Sequence, residues 1–208
     1  MRLLIFGATG GTGRELVSQA LERGHAVTAF ARDPAALEQR DGLQVIAGDV
    51  LDAAAVERAV AGQEEVLCAL GRSAASPGTV RSQGTRNIVR AMERAGPRRL
   101  ICQSTIGIGD SRPLLPPLHR YLLVPLLLRR TFAEHERQEA AVRSSRLDWT
   151  IVRAGALSDG ERTGSYRHGF PPTEPSIEFE ISRADVADFT LRLLADGTYM
   201  HQLPCVSY

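Results

Sequence analysis

The stretch Arg2-Leu-Leu-Ile-Phe-Gly-Ala-Thr-Gly-Gly-Thr-Gly13 decides the fold. Its apolar run ends at a glycine, as in a strand buried on both faces of a parallel sheet. Beyond it, Leu16, Val17, Ala20 and Leu21 recur at helical spacing over Glu15 to Arg23, and Gly24 stands where a C′ glycine ends helices. Between strand and helix lies a Gly-x-x-Gly-x-x-Gly turn, and this context turns a weak glycine pattern into a dinucleotide site. Gly7 permits the tight turn, Gly10 lets backbone approach a pyrophosphate, and Gly13 lets helix and strand pack closely, while the helix N-terminus directs N–H groups at the anion. Thr9, Gly11 and Thr12 complete the loop, the two threonines as hydroxyl donors. The bland reading is a glycine turn with no ligand.

Outward from this unit, strand patterns recur at Ala26 to Ala31, Leu43 to Ala47, Glu65 to Leu70, Arg99 to Gln103 and Asp148 to Arg153. Helical patterns fall at about Asp52 to Val60, Thr79 to Ala95, Phe132 to Ser144 and Val186 to Leu194, the last led by Ser182 and Asp185 as a capping box. The alternation predicts an α/β, Rossmann-type, doubly wound, mainly parallel sheet with helices on both faces, in one domain over 1–208. Two Pro- and Gly-rich segments, about 106–131 and 157–181, follow the fifth and sixth strands, where doubly wound sheets bind ligands. They are expected to shape a substrate pocket, or else to be surface loops. Tyr121, Phe132, Tyr166 and Phe170 lie in or beside them, as walls for a planar ring or as local packing. The run Tyr121 to Leu128 is too short to span a bilayer and is read as a lid or interface helix.

The second strand ends in Arg32, where an acidic residue would serve the ribose diol and repel a 2′-phosphate, so NADP(H) is favoured over NAD(H). Arg32 as a solvated turn residue, with Asp33 serving the ribose, is the alternative. Asp49 and the Val50 backbone are placed at the adenine edge, and Leu70-Gly71-Arg72 beside the nicotinamide-side ribose. Asn87, on the fourth helix pattern, reads as a structural hydrogen-bonder.

A net charge of +1 leaves no global field to recruit nucleic acid or an anionic membrane, so the expected partner is a small planar molecule. All 25 basic residues are arginine, which removes every mechanism that needs a lysine amine. Three scattered cysteines without zinc spacing give no metal site and fit a reducing compartment. Met-Arg leads straight into strand, so no leader is expected, and the chain is read as cytoplasmic, a monomer or small homo-oligomer.

With these residues in hand, the chain resembles the atypical short-chain dehydrogenases of the NAD(P)H-binding, NmrA-like group, and within it the biliverdin-IXβ reductase/flavin reductase family. The carriers are Ile5 to Gly13, Arg32-Asp33-Pro34, Gly48 to Leu51, Gly84 to Val89, Leu147 to Arg153 and Ile181 to Ala187. The resemblance implies an NADPH-dependent reductase of flavins, quinones or linear tetrapyrroles. It also implies roles for Ser104 and His135. Ser104 matches the family's serine near the nicotinamide, able to orient the carboxamide or a substrate carbonyl. His135 stands where many members carry lysine and the reductase branch a histidine, able to bind the ribose or donate a proton; an exposed helix histidine is the alternative. The chain departs from that branch at Ala156, where the branch has a second pocket histidine, which counts against biliverdin itself. Ordinary members use a Tyr-x-x-x-Lys pair, which this chain lacks. Two functions fit: a catalytic reductase, or a non-catalytic NADP(H) sensor acting through a protein partner.

Overall fold

A computed structural model describes residues 1–71, 78–171, 173–174 and 177–208. Six strands form the alternating frame: β1 (Arg2–Phe6), β2 (Ala26–Ala31), β3 (Leu43–Ala47), β4 (Glu65–Cys68), β5 (Arg99–Thr105) and β6 (Asp148–Ala154). Four short strands follow: β7 (Ala156–Ser158), β8 (Arg167–His168), β9 (Glu180–Ser182) and β10 (Cys205–Ser207). The helices are α1 (Gly11–Glu22), α2 (Ala53–Val60), α3 (Val80–Ala95), α4 (Arg129–Arg143) and α5 (Arg183–Arg192). The sheet runs β3-β2-β1-β4-β5-β6-β10-β8, parallel except for β8, and β7 pairs with β9 apart from it. Strand order therefore reverses between β1 and β4, and in such sheets the crevice beyond that reversal holds the ligand.

The unbroken apolar run of β1 is explained by its place. Leu4 and Phe6 enter one core with Val56 of α2, Ile88 of α3 and Val142 of α4. Leu3 and Ile5 enter the other with Leu16 of α1 and Phe189 of α5. With a core on each face, no strand position is left for water, and all four side chains are fully buried. Helix α1 ends as read: Gly24, at φ +74°, donates to Leu21 and His25 to Ala20, the paired bonds of a Schellman motif.

The structure corrects several boundaries. β4 stops at Cys68, so Leu70 lies in the loop beyond it, whereas β5 runs two residues further than read and takes Ser104 into the strand. Strand β10, unread in the sequence, lies between β6 and the edge strand β8, pairing with β6 through Cys205 and Val206. The capping box is half formed. Ser182 Oγ accepts from the Asp185 N–H, but the Asp185 carboxylate does not reach back; it accepts from Thr163, Gly164 and the Tyr208 hydroxyl, and Tyr208 in turn accepts the Ser182 N–H. Among the described residues, no helix is long and apolar enough to cross a membrane.

Candidate active site

The phosphate loop is held by contacts that exclude side chains. At Gly7, φ is +82° and a Cβ would lie 2.4 Å from the Ala69 carbonyl oxygen, because the loop turns against the chain leaving β4. At Gly13, a Cβ would lie 2.0 Å from the Gly7 carbonyl oxygen. Gly10 donates its N–H to Gly7 at 3.0 Å. The N–H groups of Gly11, Thr12 and Gly13 open α1 with no earlier helical carbonyl to accept them, which makes the end an anion site. Arg14 steadies the loop by donating to the Thr9 carbonyl at 3.1 Å.

Two clefts meet over this loop. The smaller, about 210 Å³, is lined by Gly7, Thr9, Gly10, Arg32, Asp49 and Val50. The larger, about 670 Å³, is lined by Gly11, Thr12, Ser104, His135, Ala156 and Leu157. Gly10, Leu70 and Gly71 border both, so the clefts are continuous, as a dinucleotide lying across the switch point requires. Every proposed cofactor residue except Gly13 lines one of them; Gly13 supports the loop from behind. Arg72 lies outside the described residues.

Asp49 lines the smaller cleft and Asp33 does not, and each has a backbone partner for one oxygen. The Asp33 carboxylate accepts the Ala35 N–H at 3.0 Å and caps the following turn, and Asp49 Oδ1 accepts the Leu51 N–H at 2.9 Å. Asn87 Nδ2 donates to the carbonyls of Val50 and Leu51, at 2.9 and 3.2 Å, so its role is the structural one expected.

In the larger cleft, Ser104 and His135 are brought together from residues 31 apart in sequence, with Ser104 Oγ 3.3 Å from His135 Nδ1. Ser104 donates to Glu139 Oε1 at 2.7 Å, so its oxygen is left to accept from His135 Nδ1–H and Nε2 is left as an acceptor. Glu139 is held in turn by Arg153, whose Nε and Nη2 reach its two oxygens at 2.9 and 2.7 Å, while Nη1 reaches Asp110. Burial works against the Arg153 charge, but the two carboxylates outweigh it and raise its pKa. Burial, and then the Arg81 guanidinium, hold the pKa of His135 well below the ordinary histidine value. The exposed-helix alternative for His135 is corrected, since α4 turns it into the protein. The imidazole is neutral at pH 7, which fits a hydrogen-bonding role better than proton donation.

A pH prediction follows. Unfolded histidine binds a proton below about 6.5, whereas folded His135 does not, so its contribution to stability is intact above that pH and is lost as pH falls below it. In urea unfolding at pH 7.5, 6.5 and 5.5, His135→Asn should flatten the acid-side loss of stability, by up to about 1.4 kcal/mol per pH unit. Parallel pH curves for the two proteins would show that His135 protonates as freely folded as unfolded.

Sequence reading missed Arg81, which lines this cleft and donates to the Leu70 carbonyl at 3.1 Å, and the Glu139–Arg153 pair. The second had a signal: an arginine ending the apolar run of β6. For Tyr166 and Phe170 the structure shows the local-packing reading of the aromatics, and Tyr121 and Phe132 form no cleft wall. Tyr166 gives its hydroxyl to Asp188 and packs on Phe189, Phe170 packs on the core around Ile106 and Leu114, Tyr121 faces water, and Phe132 does not line the cleft. Among the described residues of the two insertions, Leu128, Thr131 and Leu157 border it.

Fold and site together define an NAD(P)-binding oxidoreductase domain of the atypical short-chain dehydrogenase kind. The chain belongs to the NAD(P)H-binding family, whose pattern matches residues 7–197. It is 36% identical over 188 residues to a 3-diazoavenalumate denitrifying reductase of Streptomyces, covering 81% of this chain and 60% of that protein's length. The structure of ChuY, an anaerobillin reductase from Escherichia coli O157:H7, superposes with a TM-score of 0.81 at 26% identity, covering 100% of this chain and 97% of that one. A short-chain dehydrogenase/reductase from Veillonella parvula in complex with NADP superposes at 0.82 with 21% identity, covering 100% and 94%.

Proposed function

We propose that this chain is an NADPH-dependent reductase that passes hydride to a planar acceptor, a flavin or a quinone, seated in the larger cleft. The observation that carries the reading is a cleft continuous with the phosphate loop and lined by Ser104 and a buried histidine, His135, in a chain with no lysine. Such a site suits an acceptor whose reduction needs no strong acid from the protein. NADPH when bound would supply the hydride, and the protein's work is to orient donor and acceptor and exclude water. A cleft of about 670 Å³ is within the range of small-molecule sites. The insertions around 106–131 and 157–181 border it through Leu128, Thr131 and Leu157, and Ser104 and His135, which line the cleft, are the side chains assigned in this reading to the nicotinamide end or the acceptor. Reductases among the similar proteins support the class. Absorbance at the reduced-nicotinamide band, followed with FMN, menadione and biliverdin in turn, tests it. Oxidation that tracks one acceptor is the expected result. Tight NADPH binding with no oxidation by any acceptor overturns it in favour of the sensor.

NADP(H) is preferred to NAD(H) in this reading because Arg32 lines the smaller cleft, whereas Asp33 does not line it and caps the following turn. A charge-assisted contact to the 2′-phosphate contributes about 1.5–3 kcal/mol. Arg32→Ala should therefore weaken NADPH binding by about ten- to one-hundredfold and leave NADH binding nearly unchanged, in fluorescence titration. Equal losses for both nucleotides would remove the 2′-phosphate role.

A further inference from the structure

We infer that the segment Leu118 to Arg130 is a docking surface for an anionic lipid bilayer. Its centre is a ten-residue helix, His119–Leu128, wound as a π-helix with Pro125 inside it, none of whose residues is buried. The large apolar side chains exposed among the described residues, apart from Met1, all belong to this segment: Leu118, Tyr121, Leu122, Leu126 and Leu127, at 48–75% exposure. Isolated apolar residues on a surface need no explanation, but a contiguous group does.

Charge selects the occupant. Between Asp110 and Glu134 the sequence holds Arg112, Arg120, Arg129 and Arg130 and no acidic residue. None of the four forms an ion pair among the described residues. Arg120 lies over the Tyr121 ring at 5.4 Å, a pairing of apolar ring and cation that suits the headgroup boundary. A second copy docked by a two-fold axis would bring arginine against arginine with no carboxylate between them. Anionic headgroups would neutralise the same cations, each favourable near the surface. Even at α-helical rise ten residues would span only about 15 Å, half of a hydrocarbon core, and a π-helix is shorter still, so the segment lies in the interface and does not cross it.

The segment ends at the cleft, since Leu128 and Thr131 line it with Ser104 and His135. A docked molecule would open its cleft at the membrane surface, a route for an apolar quinone; this consequence rests on the reductase reading, and the docking does not.

The test is co-sedimentation of the whole chain with vesicles of phosphatidylcholine alone and with about one third phosphatidylglycerol. Binding to the anionic vesicles only is expected, falling about tenfold or more between about 0.05 and 0.5 M salt. Leu126→Asp with Leu127→Asp should abolish it while NADPH titration stays unchanged. If that pair disturbs folding, Arg120→Gln with Arg129→Gln keeps the apolar face and should weaken binding at least tenfold. No binding to anionic vesicles, equal binding to both compositions, or undiminished binding by the folded variants overturns the inference. So does a doubling of mass in sedimentation velocity that the variants lose, which would assign the face to a second copy. Vesicle binding without NADPH turnover would sink the reductase reading and leave the docking standing.

Discussion

Gly13→Ala is expected to abolish NADPH binding in the micromolar range and to destabilise the fold. The added methyl would lie 2.0 Å from the Gly7 carbonyl oxygen, 2.7 Å from its carbon and 2.8 Å from Ala8 Cα. All three are backbone atoms of the phosphate loop, so no rotamer change relieves the clash; helix α1 must move away from β1. Overpacking of this kind costs about 1–3 kcal/mol. The larger effect is on the ligand, because the N–H groups of Gly11, Thr12 and Gly13 move with the helix, and an anion held at hydrogen-bonding distance loses several donors together. A loss of at least about one-hundredfold in NADPH affinity is expected, or about 2.7 kcal/mol. Gly62→Ala is the control. Gly62 also has a positive φ, +78°, but nothing lies within 4 Å of its would-be Cβ and it is remote from both clefts. It should cost about 1–2 kcal/mol of stability and leave NADPH affinity unchanged. Fluorescence titration and thermal unfolding of the two variants separate the effects. Wild-type affinity in Gly13→Ala would mean that the loop does not hold the pyrophosphate.

The same glycines show why this half of the molecule is legible in the sequence. A backbone that must turn sharply and pack within 2–3 Å of another backbone admits one residue type, so geometry is written directly in letters. Strands β1 and β2 are legible for a related reason, since a doubly covered parallel strand leaves a short apolar run between turns, and the edge strand β3 is legible from the apolar letters Leu43, Val45 and Ile46, which pack partly buried against the two cores. Legibility fails where position depends on a distant partner. β5 continues through Ser104 and Thr105 because β6 continues beside it, Ser104 opposite Arg153 and Thr105 opposite Ala154. Polar letters there look like a strand end, yet Ser104 is buried by the network it joins and Thr105 is half-buried beside it. β10 is three residues long and acquires its place from its neighbours β6 and β8. The aromatics of the insertions were legible as apolar but not as to which surface they would cover, and Tyr166 and Phe170 went to the core rather than to the cleft. The family resemblance named Ser104 and His135, yet no spacing revealed that Glu139 lies between Ser104 and a buried arginine.

That arginine makes the second large prediction. Glu139→Ala should cost about 3–5 kcal/mol in denaturant unfolding, because Arg153 is 3% exposed and would keep its charge with only the surface carboxylate of Asp110 to answer it. Against a typical total of about 5–15 kcal/mol this is a large fraction, and the variant should unfold at markedly lower urea. A collapse alone would not distinguish a structural ion pair from one that also positions the site. Replacing both partners does. Glu139→Leu with Arg153→Met removes the two charges together and fills similar volume, and exchanges of this type are close to neutral in stability. The double variant should therefore regain most of the lost stability and bind NADPH within about threefold of wild type, since neither residue borders the phosphate loop. Ser104 would then have no carboxylate to donate to, its hydroxyl would be free to rotate, and the proton on His135 would no longer be assigned to Nδ1. A misplaced hydrogen-bonding pair commonly costs about one-hundredfold in rate, so kcat/KM for the acceptor should fall steeply in a protein that is stable and loaded with NADPH. Recovery of stability and of turnover together would make the pair a structural brace and nothing more. Recovery of stability without turnover would identify Glu139 as the residue that sets which way the Ser104 and His135 protons point.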